Sequence, residues 1–563
     1  MNFTCPHVLV VGAGPADLVA ALTLLQNGIP VRIIDKDPNP RIGQRGPGIQ
    51  PRSVELFNFL NVSEVNDLGT RVPIIRSYKS GTLEILKESS FTPYLEPSPA
   101  IPFTSRVMGQ QLLDTILRRH LEKFSCSVEM GTELRSFEQS EEGVTAVLAK
   151  NGTLESFDTK WMVGADGAKG VVRKQLGLSF LGETRDDTRI ITGDIRLKGV
   201  DRAVRPISTC SMEERALLIL SRKYCHQFGN FQERGMLLRP TDEIGEDGWQ
   251  FVIFDNDIDM TKVTQSEELI FEIIASVIPT EVTFNKLVWV SEFRANIRMV
   301  DRFNEGRVFV AGDAAHVHSL TGGQGLNSSV QDAFNLGWKL ALVEKGLADK
   351  SLLETYSAER LPVISEMLNM TTSMLNKAIA SGDISIGRSS VLFMLGINYR
   401  FSSIVLDEYA TPVEGRPINA YGVLDEGHLE AGDRAPDAPN MRQVKRGESD
   451  MKTLFSLYRP WYHTVIVFAP SLADSSPILG ALEAYDKSVM RSAVVLPSST
   501  QVTSVASHAN LVLVDEEGYA YSAYLVEAGH TKVFVIRPDG VIGAIVHGAE
   551  GVKKYFSGIF LDV

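Results

Sequence analysis

The residues best placed to do chemistry in this 563-residue chain are glycines and aspartates at the ends of short apolar runs. Val8–Val11 leads into Gly12-Ala13-Gly14-Pro15-Ala16, and the next apolar run, residues 31–34, ends on Asp35 and Lys36. Between them Leu18, Leu22 and Leu25 recur at helical spacing until Gly28. Strand, glycine turn, helix and strand in that order open a parallel α/β sheet. The first glycine permits the tight turn, and the second lets the backbone approach a pyrophosphate at a helix N-terminus that favours anions. Asp35, roughly 20 residues on, is placed to accept hydrogen bonds from ribose hydroxyls. The combination predicts dinucleotide binding.

One position departs from this pattern. The third glycine, which lets helix and strand pack closely, is Asp17. In one reading Asp17 points to solvent from the helix's first turn, favoured by the dipole. In the other it repels the pyrophosphate and weakens the hold on the cofactor.

Two further apolar runs, residues 161–165 and 308–311, end in Asp166-Gly167 and Gly312-Asp313. An Asp-Gly turn after a strand is by itself usually only a turn. The second run is more specific, because it continues through His316 into Thr321-Gly322-Gly323-Gln324-Gly325-Leu326-Asn327 and a helix carrying Gln331-Asp332-Ala333. His316 and His318 form a His-x-His pair, but no carboxylate or cysteine completes a ligand set, so no metal is expected.

The elements that must position these groups follow from the same patterns. The two aspartate motifs lie far apart, so the domain they build is discontinuous. Between them, from about 180 to 295, alternating segments such as 192–197 and 250–254 predict a separate antiparallel sheet. Helices are expected over 327–344 and 353–377. From about 405 to 440 the chain is rich in Pro, Gly and Asp (Pro412, Arg416 and Pro417 among them), a linker or wrapping arm. Beyond it, strands at His463–Phe468, 493–496, 511–514, 533–536 and 541–546 and a helix near 551–556 predict a third, small α/β domain.

Composition narrows the function classes. With 44% apolar and 22% charged residues this is an ordinary globular chain, long enough for two to four domains. Its net charge of 56 − 69 = −13 argues against nucleic-acid binding. Cys5, Cys126, Cys210 and Cys225 have no CxxC spacing and fit a reducing compartment. No stretch approaches the ~18 uninterrupted apolar residues of a membrane span, so a cytoplasmic enzyme is expected.

With the 12–14 turn, Asp166-Gly167 and Gly312-Asp313 in order, the chain closely resembles the class A, single-component flavoprotein aromatic monooxygenases, over its whole length. The similarity is to the phenol hydroxylase-like branch with a C-terminal thioredoxin-like domain. The fold it implies is α/β: a discontinuous Rossmann-type FAD-binding domain, an inserted antiparallel-sheet substrate domain, and a thioredoxin-like domain. In residues, 1–180 is the first FAD-binding part, with a substrate-domain excursion about 72–104. Residues 181–293 form the substrate domain and 294–345 the second FAD-binding part. A helical segment and linker follow over 346–425, and 426–563 is thioredoxin-like without CxxC, a structural or dimerisation module.

By this resemblance the cofactor is FAD, with NAD(P)H as co-substrate and O2 as oxidant, and the substrate is a small aromatic, phenolic compound. Reduced nicotinamide passes a hydride to FAD, dioxygen adds at the flavin C4a position, and one oxygen atom reaches the substrate. Asp313 would bind the ribityl hydroxyls. Gly323, Gln324, Gly325, Leu326 and Asn327 would lie against the isoalloxazine, and Arg45 and Gln110 would make further FAD contacts. The resemblance assigns Asp166 to FAD and NAD(P)H together. Pocket walls fall at Pro47-Gly48-Ile49, Met236-Leu237-Leu238-Arg239 and residues 293–298. Pro47 stands where the phenol hydroxylases have an acid and Phe293 where they have a tyrosine, so the usual help in ionising a phenol is missing. Arg239, Arg294 or Arg298 could pair with a substrate carboxylate. The alternative within the same flavin chemistry is epoxidation, Baeyer–Villiger oxidation or decarboxylative hydroxylation of a natural-product intermediate. A scaffold that binds flavin without turnover is the reading from another class.

Overall fold

A computed structural model describes residues 6–561 except 91–92, 199–223, 231–233, 256, 383–388, 412–414, 416, 425–426, 445–448 and 501–508. Cys5, Cys210, Pro412 and Arg416 lie outside the described residues.

The chain is α/β, as the apolar periodicities require. A six-stranded sheet runs in the order Asn304–Glu305, Val308–Val310, Trp161–Gly164, Val8–Val11, Val31–Asp35, Val128–Met130. All its pairings are parallel except that of the Asn304–Glu305 edge. Parallel strands end on one edge, so the turns after Val11, Asp35, Gly164 and Val310 share it. Val8–Val11 sits where the order reverses, the crevice in which open α/β sheets bind ligands. Its residues are at most 6% exposed, and the Pro15–Gln26 and Gly325–Glu344 helices pack together over the sheet.

A second, eight-stranded sheet is mainly antiparallel. Its long strands Leu181–Lys198 and Thr283–Met299 pair along nearly their whole length, and Ile74–Tyr78 and Ile85–Ser90 complete one end. Thr283–Met299 passes unbroken through residues 293–294, where a domain division was expected. Side chains alternate along strands, so this sheet has two distinct faces. One, with Ile191, Ile195, Met236, Leu238, Phe251 and Ile253, is covered by the helices Met260–Val263 and Glu267–Val277. The other carries Ile75, Ile190, Leu237, Val252, Phe254 and Phe293.

A third sheet, also of eight strands, is built on His463–Phe468, Met490–Pro497, Leu511–Asp515, Lys532–Ile536 and Ile542–Val546. Buried charge ties it to the first domain. Arg537 donates to Glu359 at 2.7 and 2.9 Å, Lys339 reaches the same carboxylate at 2.8 Å, and Arg434 meets Glu55.

Candidate active site

At the shared edge of the six-stranded sheet, one open cleft is lined by Gly12, Gly14, Pro15, Ala16, Asp17, Asp35, Lys36, Arg41, Gln110, Asp166, Asp313 and Leu326. The three distant motifs therefore converge. Gly12 has φ +116°, a conformation that side chains disfavour, and this opens the turn for the helix start at Pro15. Asp35 accepts the Asp37 N–H through Oδ1 at 2.8 Å, leaving Oδ2 for a ligand hydroxyl.

Asp313 lies in the short 3-10 turn Gly312–Ala314, with its side chain exposed to the cleft. That turn is held from below. Asp332 accepts the Gly312 N–H at 3.1 Å, contacts His316 Nε2 at 2.6 Å, and receives Arg360 Nε at 2.7 Å. Burial alone would raise the Asp332 carboxyl, but Arg360 and His316 hold it below the usual range. This buried anchor was not assigned a role from the sequence, although Asp332 stands in the recognised helix.

Asp166 caps the Val171–Gln175 helix, accepting from Val171 N–H at 2.5 Å and Val172 N–H at 3.1 Å. Its second oxygen is buried without a partner beside the cleft. Arg173 joins the loops by donating to the carbonyls of Ala168 and Ala314 at 2.7 and 3.2 Å.

The expectation that Asp17 points to solvent is corrected. Asp17 is 1% exposed and turned back on the glycine turn, where it accepts the Gly14 N–H at 2.9 Å. A free N–H one turn away draws the carboxylate inward, and neighbouring loops then cover it.

The glycine-rich loop divides its tasks. Gly322 and Gly323 have φ +83° and +61°, and a Cβ on Gly323 would meet nothing nearer than 3.9 Å, so bare backbone is presented there. Gln324 faces inward instead: its amide donates to Gly322 and Leu392 carbonyls, and its oxygen accepts from Tyr421. Asn327 donates to Gly48 and Gly323 carbonyls and accepts the Gln50 N–H at 2.8 Å. It thereby joins the loop to the 44–50 stretch. A Cβ on Gly325 would collide with His318. Among the described residues no group of His, Cys, Asp and Glu could hold a metal.

The 44–50 stretch lies along the face of the second sheet that the two helices leave free. Asp194 accepts the Gln44 N–H at 2.8 Å, Gln250 donates to the Arg45 carbonyl at 2.7 Å, and Arg239 holds the side chains of Gln44 and Gln250. Arg45, at φ +51°, stacks its guanidinium 5.1 Å from the Trp289 ring. Pro47 is half-buried, and its carbonyl accepts Met108 N–H. Of the expected wall, Leu237, Arg239 and Phe293 share this face, while Met236 and Leu238 belong to the opposite one. Arg294 pairs with Glu292, and Arg298 donates to Phe180 and Thr184. Asp194, Gln44 and Gln250 were missed in the sequence. No local signal marks Asp194, since Thr192-x-Asp194 alternation is the ordinary pattern of a strand with one solvated face. Burial pushes its carboxyl up to about 6, against the Gln44 N–H and Arg239, and its Oδ1 has no partner.

These residues fit FAD: the open glycine turn suits a pyrophosphate, Asp35 and Asp313 face one cleft, and bare backbone at Gly323 suits a flat ring. Comparison with known proteins agrees. The FAD binding domain family matches residues 6–371, and the chain belongs to it. It is 34% identical to a flavin-dependent monooxygenase of Mycobacteroides abscessus over 83% of this chain and 90% of that one. A pentachlorophenol 4-monooxygenase of Sphingobium chlorophenolicum is 30% identical over 65% of this chain and 64% of its own length. Among solved structures, aklavinone-11 hydroxylase in a ternary complex with FAD and aklavinone superposes with a TM-score of 0.74, at 25% identity and 99% coverage of both chains. The protein is an NAD(P)H-dependent flavoprotein monooxygenase of the aromatic hydroxylase type. No described helix is long and apolar enough to cross a membrane.

Proposed function

We propose that the enzyme hydroxylates a phenolic aromatic compound whose ring is received between the helix-free face of the second sheet and the 44–50 stretch. The observation that carries this is the composition of that face, where Ile75, Leu237, Val252 and Phe293 lie beside Asp194 and Arg239. Apolar side chains supply a dry surface for the ring, and the polar pair supplies one charged edge. Bound FAD supplies the redox and oxygen-transfer chemistry. The chain contributes the rest. Arg239 orients an oxygen or carboxylate of the substrate, and Asp194 takes the phenolic proton. The 44–50 stretch, gripped by Asn327 on one side and Asp194 on the other, fixes the distance between substrate and ring. Aklavinone and pentachlorophenol, named for the relatives, are both hydroxylated aromatics and support this class.

The test is a panel of phenols, from single rings to polycyclic natural-product intermediates, screened for stimulated NAD(P)H oxidation under labelled dioxygen. A product carrying one labelled oxygen as a new ring hydroxyl is expected. In the wild type kcat/KM should fall below about pH 6 as Asp194 takes up its proton. Asp194→Asn should lower kcat/KM at neutral pH by about 100-fold or more and flatten that limb. Stimulation only by non-aromatic ketones or alkenes would overturn the reading, as would an unchanged pH profile in the variant for the role of Asp194.

A further inference from the structure

The glycine turn is flanked by two side chains of opposite charge. On one side stands Asp17, its Oδ1 buried without a partner and 2.5 Å from where a Cβ on Gly12 would sit. On the other stands Arg41, whose Nη2 lies 2.8 Å from where a Cβ on Gly14 would sit. Arg41 is held by Asp114 at 3.0 Å, yet its Nε has no partner, and it lines the same cleft.

The charge balance of this cradle is unfavourable for an anion. Asp17, Asp35, Asp37, Glu133, Asp166 and Asp313 border it, and Lys36, Arg41 and Lys169 oppose them. Burial raises the Asp17 carboxyl well above the usual range, with Asp35 and Asp166 adding to the rise against the Gly14 N–H and Arg41. A pyrophosphate placed here meets a carboxyl that has already taken the Gly14 N–H, one of the donors a helix start offers an anion. A second donor must replace that N–H, and whenever Asp17 is ionised a cation must offset its charge. Arg41 is the cation in position to do so.

We infer that Arg41 is a cofactor-binding residue, its guanidinium closing on the FAD pyrophosphate at the 12–14 turn to offset the carboxyl of Asp17. Arg41 and Asp17 thus set the affinity for FAD between them, one tightening it and the other loosening it. The inference rests on the placement of the pyrophosphate at this turn. Asp114 acts as a positioning residue, holding the guanidinium through Nη2 so that both Nη atoms stand beside Gly14.

The experiment uses the full chain stripped of FAD, with dissociation constants read from quenching of flavin fluorescence. Variants are Arg41→Ala, Arg41→Lys, Asp17→Asn, the Arg41→Ala/Asp17→Asn pair, and Gly12→Val as a control on the turn. Arg41→Ala is expected to weaken FAD by about 30-fold, as for loss of a charge-assisted hydrogen bond, with Arg41→Lys intermediate. Asp17→Asn, which keeps an acceptor for Gly14, is expected to tighten FAD several-fold. The loss on removing Arg41 should be smaller in the Asp17→Asn background, because part of its task is gone. Added salt should weaken the wild type more steeply than Arg41→Ala. An Arg41→Ala affinity within twofold of wild type would overturn the inference, as would weaker binding by Asp17→Asn. If Gly12→Val also leaves FAD binding intact, the pyrophosphate lies elsewhere and the site assignment fails. If Gly12→Val abolishes binding while Arg41→Ala does not, only the role of Arg41 fails.

Discussion

Asp313→Ala is expected to emerge from purification pale, with an FAD affinity about 100-fold below wild type, the scale of losing charged hydrogen bonds to a ligand. The carboxylate stands exposed in the cleft, within a turn whose backbone is fixed by Asp332 from the helix beneath. Removing it takes away a contact to the cofactor without touching that anchor. The apo-protein should therefore melt within about 2 °C of the wild-type apo-protein, as a surface substitution does. The measurement is flavin stoichiometry by absorbance together with the melting temperature of the stripped proteins. A variant that retains a full equivalent of FAD through gel filtration would show that Asp313 does not hold the cofactor.

The second large effect is structural. Glu359→Ala should destabilise the protein by about 3–5 kcal/mol, because it leaves Lys339 and Arg537 as buried cations without their shared counter-ion. Glu359 sits on the Glu354–Ser381 helix and Arg537 just after the Lys532–Ile536 strand, so the loss also loosens the first domain from the third sheet. Burial would raise the Glu359 carboxyl, but Arg537 and Lys339 together hold it far below the usual range. A carboxyl depressed in this way stabilises the fold above its unfolded value, about 4.3, and that contribution is lost as pH falls toward the folded value. Glu359→Gln lacks the titrating group, so its melting temperature should decline less steeply from about pH 6 to about pH 3, a range that brackets the unfolded value. Equal acid sensitivity in the two proteins would contradict the account of this cluster.

The convergence of the candidate cofactor residues on one cleft was legible because its signals are local. A buried parallel strand is a short apolar run, and the residues at its carboxyl end follow directly, so Gly12, Asp35, Asp166 and Asp313 could be read along the chain. What was hidden depends on contacts between distant segments. Asp17 turns inward on the Gly14 N–H, but the burial that makes this the settled direction comes from other segments, and no pattern around residue 17 reports them. Gln324 looks like a flavin contact in its motif, yet it turns inward to meet Tyr421, 97 residues on. Met236-Leu237-Leu238-Arg239 was expected as one wall, whereas strand alternation sends Met236 and Leu238 to the helix-covered face and Leu237 and Arg239 to the other. The Glu359–Arg537 pair spans 178 residues and leaves no trace in local sequence at all. Arg239 shows a further limit: its burial against Gln44 and Gln250 gives it a place in the site that its residue type alone does not.

The most direct measurement is a crystal structure of the FAD-loaded protein. The pyrophosphate is expected at the 12–14 turn, a ribose hydroxyl on Asp35, the ribityl chain on Asp313, and the ring against the backbone of Gly323, facing Phe293 and Arg239. An FAD molecule that contacts Asp35 but leaves Asp313 untouched, or whose ring lies away from that sheet face, would contradict it.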